Sequence, residues 1–335
     1  MKCALCSCPA VTRVHGLQVC PYHEAHGEDD PACPACAPAV SVRAAEEVAG
    51  DQVDDVQARR PHFSHSALDM LSKCGLQYRF RYVEGLKSPP GVALLRGSGT
   101  HGAVQADLEA KIATGELLDD EEVASIAADV FDERLEVDGV ALTDDEVAEG
   151  SSKVIGRAKD AAVRLARHHH RHDAPGLRPV HVERFLRVEL EGFPRDLVGF
   201  VDLQEPACVE DLKTASKSPS ADAADTSIQL TAYHLMLHAV DGKAPPVVRI
   251  RSLVNNKVPK SVVLESTRDV EDWKRFLRRL ELANELVDAG AFYPARPDDW
   301  WCSSRFCGYW SRCPFGARGR RATVPVLSRP KKESK

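Results

Sequence analysis

Residues 199–214, with the sequence GFVDLQEPACVEDLKT, constrain the fold of this chain more than any other segment. They hold two runs rich in apolar residues, one on each side of Glu205 and Pro206. Short apolar runs with alternating polar residues, bounded by turn-forming residues, are typical of β-strands. The segment therefore predicts an antiparallel hairpin whose strands cover 197–204 and 207–213.

This hairpin would place charged side chains together on one face. If the Glu-Pro dipeptide forms a two-residue turn, Asp202 lies opposite Val209. Side chains alternate between the two faces of a strand, so Asp202, Asp211 and Lys213 point to the same side. Asp202 and Asp211 become diagonal neighbours with backbones about 7–8 Å apart, a separation at which two carboxylates can converge on one ion.

Two acidic side chains and a lysine on one face suit metal-assisted chemistry. Mg²⁺ and Mn²⁺ prefer oxygen ligands and commonly bind through carboxylates, waters and a substrate phosphate. Such an ion polarises a phosphodiester and lowers the pKa of a bound water, and a nearby lysine can orient that water or stabilise charge on phosphorus. The alternative is a hairpin with solvated polar residues, but the surrounding apolar run predicts a half-buried face.

The remainder of the central part contains helical and strand-like segments. Ser64 or Ser66 can cap a short helix that ends near Cys74. Helices come first, then strands, then helices again, and this order predicts an α/β fold with a mixed central sheet flanked by helices. The predicted helices cover 100–115, 120–136, 143–172, 225–240 and 268–289, and the other strands cover 180–191, 246–254 and 260–265.

Composition divides the chain into a main domain and flanking segments. Residues 1–37 form a cysteine-rich module, 38–60 form an Ala-, Val- and acid-rich linker, and 61–316 form the main domain. Residues 317–335 are basic and are predicted to be disordered. The sequence contains neither an apolar run long enough for a membrane span nor a signal peptide, so we expect a cytoplasmic protein without membrane contact.

Clustered cysteines predict two metal centres, because disulfides are rare in a cytoplasm and short spacings suit metal ligands. At the N-terminus, a C-x2-C pair and a C-x2-H pair have the spacing of a small zinc finger, and another C-x2-C pair follows. A module with so few apolar residues needs a metal in order to fold. The preferred Zn²⁺ ligands are Cys3, Cys6, Cys20 and His23, with Cys33 and Cys36 as candidates for a second site.

A second group of cysteines lies near the C-terminus, where Cys302, Cys307 and Cys313 are spaced as C-x4-C-x5-C. They leave the fourth position of a metal centre open, and Cys74 at the end of the first helix can fill it. Four thiolates suit an iron–sulfur cluster or a zinc ion, and the spacing does not decide between the two. Free cysteines buried among tryptophans are a third alternative.

Charge and two further motifs do not point to a specific activity. The net charge of −6 neither supports nor excludes nucleic-acid binding, since basic patches can be local. The run from His168 to His172 is interpreted as a solvated face at a helix C-terminus and not as a metal site. Gly97, Gly99 and Gly102 match the dinucleotide motif G-x-G-x-x-G, but successive helices follow them where a βαβ unit would be needed.

Several segments, in this order, resemble the RecB-like branch of the PD-(D/E)XK nucleases, which includes AddB-type nucleases, nucleases of CRISPR adaptation and many phage exonucleases. The resemblance covers about residues 62–316. It rests on SALDMLSKCGLQYRF at 66–80, RGSGTH at 96–101, GFVD at 199–202, EDLKT at 210–214 and QLTAY at 229–233. The shared order of these motifs is more specific than any one of them.

The resemblance implies a restriction-endonuclease-like core and a role for individual residues. The implied ligands of Mg²⁺ or Mn²⁺ are His101, Asp202, Asp211 and the carbonyl oxygen of Leu212. Lys213 would assist the attacking water, and Glu183 on the preceding strand is a further acidic candidate. Gln229 and Tyr233 lie one helical turn apart and would organise the site or contact DNA, with a core position as the alternative for Tyr233.

For the C-terminal cysteines the resemblance favours a [4Fe–4S] cluster, because one distant and three close cysteines are the layout in several RecB-like nucleases. The ligands would be Cys74, Cys302, Cys307 and Cys313, although relatives often use C-x2-C-x5-C. A cluster there would join segments that are far apart in sequence and would be structural. A zinc ion on the same sulfurs stays open as the alternative.

The resulting hypothesis is a Mg²⁺- or Mn²⁺-dependent DNA nuclease, more specifically an exonuclease of DNA recombination, repair or phage genome processing. DNA would be its substrate, and a helicase, a recombinase or a single-strand-binding protein would be its partner. The alternative is a non-catalytic DNA-binding or assembly protein that keeps the nuclease fold. All expected catalytic positions are filled in this chain, which favours activity.

Overall fold

The computed structural model describes residues 61–316 and, before them, the backbone of two short strands. These strands, β1 (Thr12–Val14) and β2 (Leu17–Val19), form an antiparallel pair. The proposed linker at 38–60 and the basic tail at 317–335 lie outside the described residues. Outside them too are the expected zinc ligands Cys3, Cys6, Cys20, His23, Cys33 and Cys36.

A six-stranded mixed sheet forms the centre of the described domain. Its strands are β3 (His62–Ser64), β4 (His181–Val188), β5 (Asp196–Glu205), β6 (Cys208–Ala215), β7 (Val247–Val254) and β8 (Lys260–Ser266). The order of paired strands is β3-β5-β6-β7-β8. β3 and β6 pair with different parts of one edge of β5, and β4 pairs with its opposite edge. β3 is parallel to β5 and β7 is parallel to β6, whereas the other pairs are antiparallel.

Helices surround this sheet. Their bounds are α1 (His65–Lys73), α2 (Gly75–Tyr78), α3 (Val92–Thr114), α4 (Asp120–Asp138), α5 (Asp144–Glu149), α6 (Ser151–His172), α7 (Ala223–Thr226), α8 (Ile228–Asp241) and α9 (Val270–Asp288). A π-helical turn at 79–83 continues α2. Ser64 caps α1 by accepting the N–H of Ala67, and α1 ends at Cys74, as the sequence predicts.

The two faces of the sheet pack against different helices. On one face, which we call the α8 face, Leu197 and Val209 join a core with α1, α8 and α9. On the opposite α3 face, Leu203 and Leu212 pack with α3 and α6, and α4 packs on the outside of those two helices. A mixed sheet between helical layers confirms the predicted α/β fold. Within the described residues, no helix is both long and apolar enough to cross a membrane.

The β5–β6 hairpin turns one residue later than predicted. Its turn is Pro206–Ala207, so the predicted Glu-Pro turn is wrong. Proline suits the first central position of a turn because its fixed φ matches that position. This register places Asp202 level with Asp211 and not with Val209. A shift of two residues along the partner strand leaves each side chain on the predicted face, since side chains alternate with period two.

Helix α3 begins earlier than predicted and includes the G-x-G-x-x-G motif. A Cβ on Gly99 would lie 2.7 Å from the carbonyl oxygen of Ala127, and one on Gly102 would lie 2.9 Å from Cγ2 of Val130. These glycines allow α3 to pack closely against α4. The motif therefore lies within a helix and does not form the phosphate-binding turn of a βαβ unit.

Other predicted elements differ in extent. The helix predicted at 143–172 is divided at Gly150, whose φ of 109° lies outside the helical region. The helix predicted at 225–240 is divided at Ser227, which is extended and caps α8. β4 ends at Val188 and so is shorter than the predicted strand 180–191.

Candidate active site

Strands β5 and β6 separate at Asp202, and the candidate site lies in this fork. The strands pair from Leu203–Glu205 to Cys208–Glu210, whereas the start of β5 pairs with β3 at 196–198. At the fork, Oδ2 of Asp202 accepts a hydrogen bond from the N–H of Leu212 at 2.7 Å. The carboxylate takes the place of a backbone carbonyl in the ladder, which fixes its position.

In both β4 and β5, the face of the sheet to which alternate side chains point changes at the level of the fork. Val182 packs on the α3 face while Leu186 packs on the α8 face, although residues an even number of positions apart share one face of a regular strand. Between them, Glu183 has a left-handed φ of 47°. β5 makes the same change between Val201 and Leu203. A left-handed non-glycine residue costs about 1–3 kcal/mol and persists where the surroundings enforce it.

This change of face brings three candidate ligands together. The pairing of Val182 with Leu203 places Glu183 opposite Asp202, and His101 approaches them from α3. One ligand atom from each of His101, Glu183 and Asp202 lies within 4.8 Å of the others, and His101 Nδ1 is 3.7 Å from Glu183 Oε1. Two carboxylates and an imidazole at this spacing can share one divalent cation.

The charges in this cluster favour a cation. Burial lowers the pKa of His101, but the hydrogen bond with Glu183 and the charge of Asp202 outweigh burial, so its pKa is raised. Burial and the charge of Asp211 raise the pKa of Asp202 to about 8. Burial also raises the pKa of Asp211, whose side chain is fully buried. The raised pKa values of Asp202 and Asp211 indicate that these two carboxylates lack sufficient positive charge nearby.

The surroundings of Asp211 support a metal ion as the source of the missing positive charge. Its Oδ1 binds Nζ of Lys213 at 2.7 Å, but its Oδ2 is buried and makes no hydrogen bond with any described residue. A buried carboxylate oxygen without a partner is costly unless a cation or donor binds it. The oxygen-rich donor set at the fork therefore fits Mg²⁺ or Mn²⁺.

A chain of hydrogen bonds holds Lys213 beside Asp211. Lys213 Nζ donates to Oε1 of Gln229 at 2.8 Å, and Nε2 of Gln229 donates to the hydroxyl of Tyr233 at 2.6 Å. Tyr233 is buried, and its burial and the charges of Asp202 and Asp211 raise its pKa. Of the two residues predicted from the Q-x-x-x-Y spacing, Gln229 thus contacts the predicted lysine directly, and Tyr233 contacts Gln229.

The backbone of Leu212 also faces the fork. Its N–H points to Asp202, and the N–H and C=O of one strand residue point toward the same neighbouring strand. The carbonyl oxygen of Leu212 is therefore directed to the side of the fork on which Asp202 lies. Its role as a metal ligand stays a prediction.

His65 is a residue of this region that the sequence did not reveal. It is the first residue of α1, and its ring meets the ring of Tyr233 edge-on with centroids 6.4 Å apart. Burial and the charge of Lys213 lower the pKa of His65 to about 4. The imidazole is thus neutral beside the lysine near pH 7. A single histidine before an apolar helix gives no sequence signal for such a position.

The interpretation of the run from His168 to His172 as a solvated face is wrong for three of its residues. His169 is fully buried, with 1% of its surface exposed. Nδ1 of His170 lies 3.0 Å from Oδ2 of the buried Asp107, and Nε2 of His168 lies 3.1 Å from the hydroxyl of Ser261. The last turns of α6 pack against α3 and β8, which the local sequence does not indicate.

The four cysteines expected to form a centre do come together. Cys74, Cys302, Cys307 and Cys313 line one cavity. Gln77 Nε2 donates to Sγ of Cys307 at 3.2 Å, and the N–H of Ala295 donates to Sγ of Cys74 at 3.4 Å. No three of the four sulfurs lie within 4.8 Å of one another. Tetrahedral zinc would hold them about 3.8 Å apart, given Zn–S bonds of about 2.3 Å.

One comparison with known proteins identifies a family for this chain. A sequence model of the PD-(D/E)XK nuclease superfamily matches residues 62–314. No curated protein matches the chain. Among solved structures, the chain resembles one from Eubacterium rectale that is provisionally named an exonuclease, with 13% identity and a TM-score of 0.46. That match covers 76% of this chain and 93% of the other.

We expect Asp202→Asn to stabilise the metal-free protein at alkaline pH. The pKa of Asp202 is about 8 in the folded state and 3.8 in its ordinary state. Between these values the folded state binds more protons than the unfolded state, so wild-type stability falls as the pH rises. Asparagine stays neutral and keeps an oxygen for the N–H of Leu212.

Thermal unfolding in EDTA measures this effect. The melting temperature of Asp202→Asn should exceed that of the wild type by several degrees at about pH 8, and the gap should close toward about pH 4. Asp222→Asn, at an exposed carboxylate, is the matched control and should show no such gap. A gap that does not depend on pH would contradict the raised pKa of Asp202.

Proposed function

The chain belongs to the PD-(D/E)XK nuclease superfamily, and from that premise we propose that it hydrolyses phosphodiester bonds of DNA with a divalent cation. The observation that carries the proposal is the fork between β5 and β6. There Asp211 keeps a buried oxygen without a partner, next to Asp202 and in contact with Lys213. A site of this kind needs a cation, and phosphodiester hydrolysis uses one.

The residues proposed to hold Mg²⁺ or Mn²⁺ are His101, Glu183, Asp202, Asp211 and the carbonyl oxygen of Leu212. Such an ion polarises the phosphodiester and lowers the pKa of a bound water. Carboxylates suit both Mg²⁺ and Mn²⁺. The imidazole of His101 adds a ligand that binds a transition metal such as Mn²⁺ better than it binds Mg²⁺. The strained backbone of Glu183 fits this role, since strain of this kind is retained at functional sites.

Lys213 is the proposed catalytic lysine. Its ammonium group is held between Asp211 and Gln229, and its side chain is 46% exposed and so accessible to substrate. From this position it would orient the attacking water or donate a hydrogen bond to a phosphoryl oxygen. Gln229 and Tyr233 would act through Lys213 by fixing its rotamer, and are therefore proposed as positioning residues.

The finer activity that we propose is an exonuclease of DNA recombination, repair or phage genome processing. It rests on the resemblance of the motifs at 66–80, 96–101 and 229–233 to RecB-like nucleases. A helicase, a recombinase or a single-strand-binding protein is the proposed kind of partner. A DNA-binding protein without activity is the rival, and the retained contacts of Lys213 weigh against it.

Cleavage of end-labelled single- and double-stranded DNA tests the proposed activity. With Mg²⁺ or Mn²⁺, Lys213→Ala should lower kcat by about 10²–10³-fold, the usual effect of removing one group that stabilises a transition state. Binding of DNA should remain, because Lys213 lies outside the hydrophobic clusters on the two faces of the sheet. Lys217→Ala, which removes an exposed lysine just after β6, is the matched control and should cleave like the wild type.

Each outcome of the cleavage assay has a clear meaning. Cleavage that requires the metal and Lys213 supports the nuclease, and the product ladder gives the direction of digestion. DNA binding without cleavage by the wild type under any metal would favour the non-catalytic rival. Equal cleavage by Lys213→Ala and Lys217→Ala would remove Lys213 from the mechanism.

For the C-terminal cysteines we propose a [4Fe–4S] cluster. Cys74, Cys302, Cys307 and Cys313 line one cavity, and four thiols around one cavity support a shared centre. Iron–sulfur clusters take four thiolates. N–H donors from Gln77 and Ala295 to two of these sulfurs would tune the bound cluster.

Protein purified without oxygen should therefore be brown, with absorbance at about 400 nm from thiolate-bound iron. Cys307→Ala should remove most of this absorbance, whereas Cys208→Ala should keep it, because buried Cys208 lies on β6 outside the cysteine cavity. A colourless protein with one equivalent of zinc at these cysteines would contradict the cluster.

A further inference from the structure

His169 is the residue around the fork that the proposed mechanism leaves unused. It lies in the last turn of α6, and its side chain is buried. Its Nδ1 is shielded from solvent and makes no hydrogen bond with any described residue. A buried polar atom without a partner costs about 1–3 kcal/mol, so a partner for Nδ1 is expected.

The cavity beside His169 shows where that partner would lie. His169 lines the same small cavity as His101, Glu183 and Asp202, the three residues whose ligand atoms cluster. The cavity has room for about one water molecule. His169, like Asp211, does not belong to that cluster, so a water molecule is the simplest link between its nitrogen and a cation held there.

The surroundings keep the imidazole of His169 neutral. Burial lowers its pKa to about 3, and the charge of Asp173 opposes this effect while Arg251, His168 and His101 add to it. A neutral imidazole has one nitrogen that accepts a hydrogen bond. Water bound to a divalent cation is a strong donor, because the cation polarises its O–H bonds.

We propose that Nδ1 of His169 accepts a hydrogen bond from a water molecule bound to the cation of the fork, and that His169 thereby positions this water. The inference rests on the proposed function, because it requires a cation held by His101, Glu183 and Asp202. His169 is a positioning residue, since it acts through the water and does not touch the metal or the substrate. The run of histidines at the end of α6 thus extends the candidate site to a helix that carries none of the metal ligands.

A structural role for His169 predicts different behaviour from a positioning role. If the imidazole only fills space in the core, an apolar residue of similar shape should preserve metal binding. If it holds a metal-bound water, loss of Nδ1 should weaken metal binding even when the core stays packed. Metal affinity and the stability of the metal-free protein therefore separate the two roles.

The experiment is a calorimetric titration of the full-length protein with Mn²⁺ in the absence of DNA. His169→Phe keeps a planar aromatic ring, which is slightly larger, and removes both nitrogens; it should weaken Mn²⁺ binding by about 10-fold or more, as loss of groups behind metal ligands usually does. The melting temperature of the metal-free variant should not fall, because an unpartnered buried nitrogen is replaced by an apolar group.

Two further variants locate the effect at Nδ1. The amide oxygen of asparagine stands the same number of bonds from Cα as Nδ1, whereas that of glutamine extends to the level of Nε2. His169→Asn should therefore restore most of the Mn²⁺ affinity that His169→Phe loses, and His169→Gln should not. His172→Asn, at an exposed residue of the same run, is the control and should bind Mn²⁺ like the wild type.

The outcomes distinguish this inference from the proposed function. If the wild type binds Mn²⁺ and Asp211→Asn abolishes binding, but His169→Phe binds like the wild type, the His169 inference fails and the nuclease proposal stands. If the wild type binds no Mn²⁺, or Asp211→Asn binds it equally well, the cation site itself fails and both proposals are overturned. A lower melting temperature for metal-free His169→Phe, with unchanged affinity, would mark the residue as structural.

Discussion

Two carboxylates held side by side away from water are the constraint on which the rest of this structure depends. Asp202 is fixed by the N–H of Leu212, and Asp211 is fixed by Lys213, but neither contact satisfies the buried Oδ2 of Asp211. Burial raises the pKa of both carboxyls, and with the charge of Asp211 it raises that of Asp202 to about 8, so the metal-free pair favours a bound proton near neutral pH. A divalent cation bound at the pair would remove that penalty and would thereby stabilise the folded state.

The scaffold around the pair keeps the site in this form. The left-handed Glu183 turns β4 over where β5 also changes face, and this places a third acidic group next to Asp202. Helix α3 delivers His101, and its close packing on α4 depends on Gly99 and Gly102. The packing of the surrounding core offsets the backbone strain at Glu183.

Alternation of side chains was enough to predict that Asp202, Asp211 and Lys213 share a face. The prediction holds although the predicted turn was wrong, because the pairing of the two strands shifted by two residues. Helical spacing likewise predicted that Gln229 and Tyr233 lie on one face of their helix, where they form a hydrogen bond. The reversal at Glu183 was not predictable, since a glutamate with positive φ follows from tertiary packing and has no local signal. For the same reason the sequence suggested a solvated histidine run, although packing on α3 and β8 buries His169.

The most direct test of the cation site is diffraction from crystals grown with Mn²⁺, at a wavelength where manganese scatters anomalously. The predicted result is an anomalous peak at the fork, within bonding distance of His101, Asp202 and Asp211. Absence of a peak there, or a peak bound by other residues in a protein that still cleaves DNA with Mn²⁺, would contradict the account. A peak at the fork would identify the buried carboxylates of Asp202 and Asp211 as ligands of the cation.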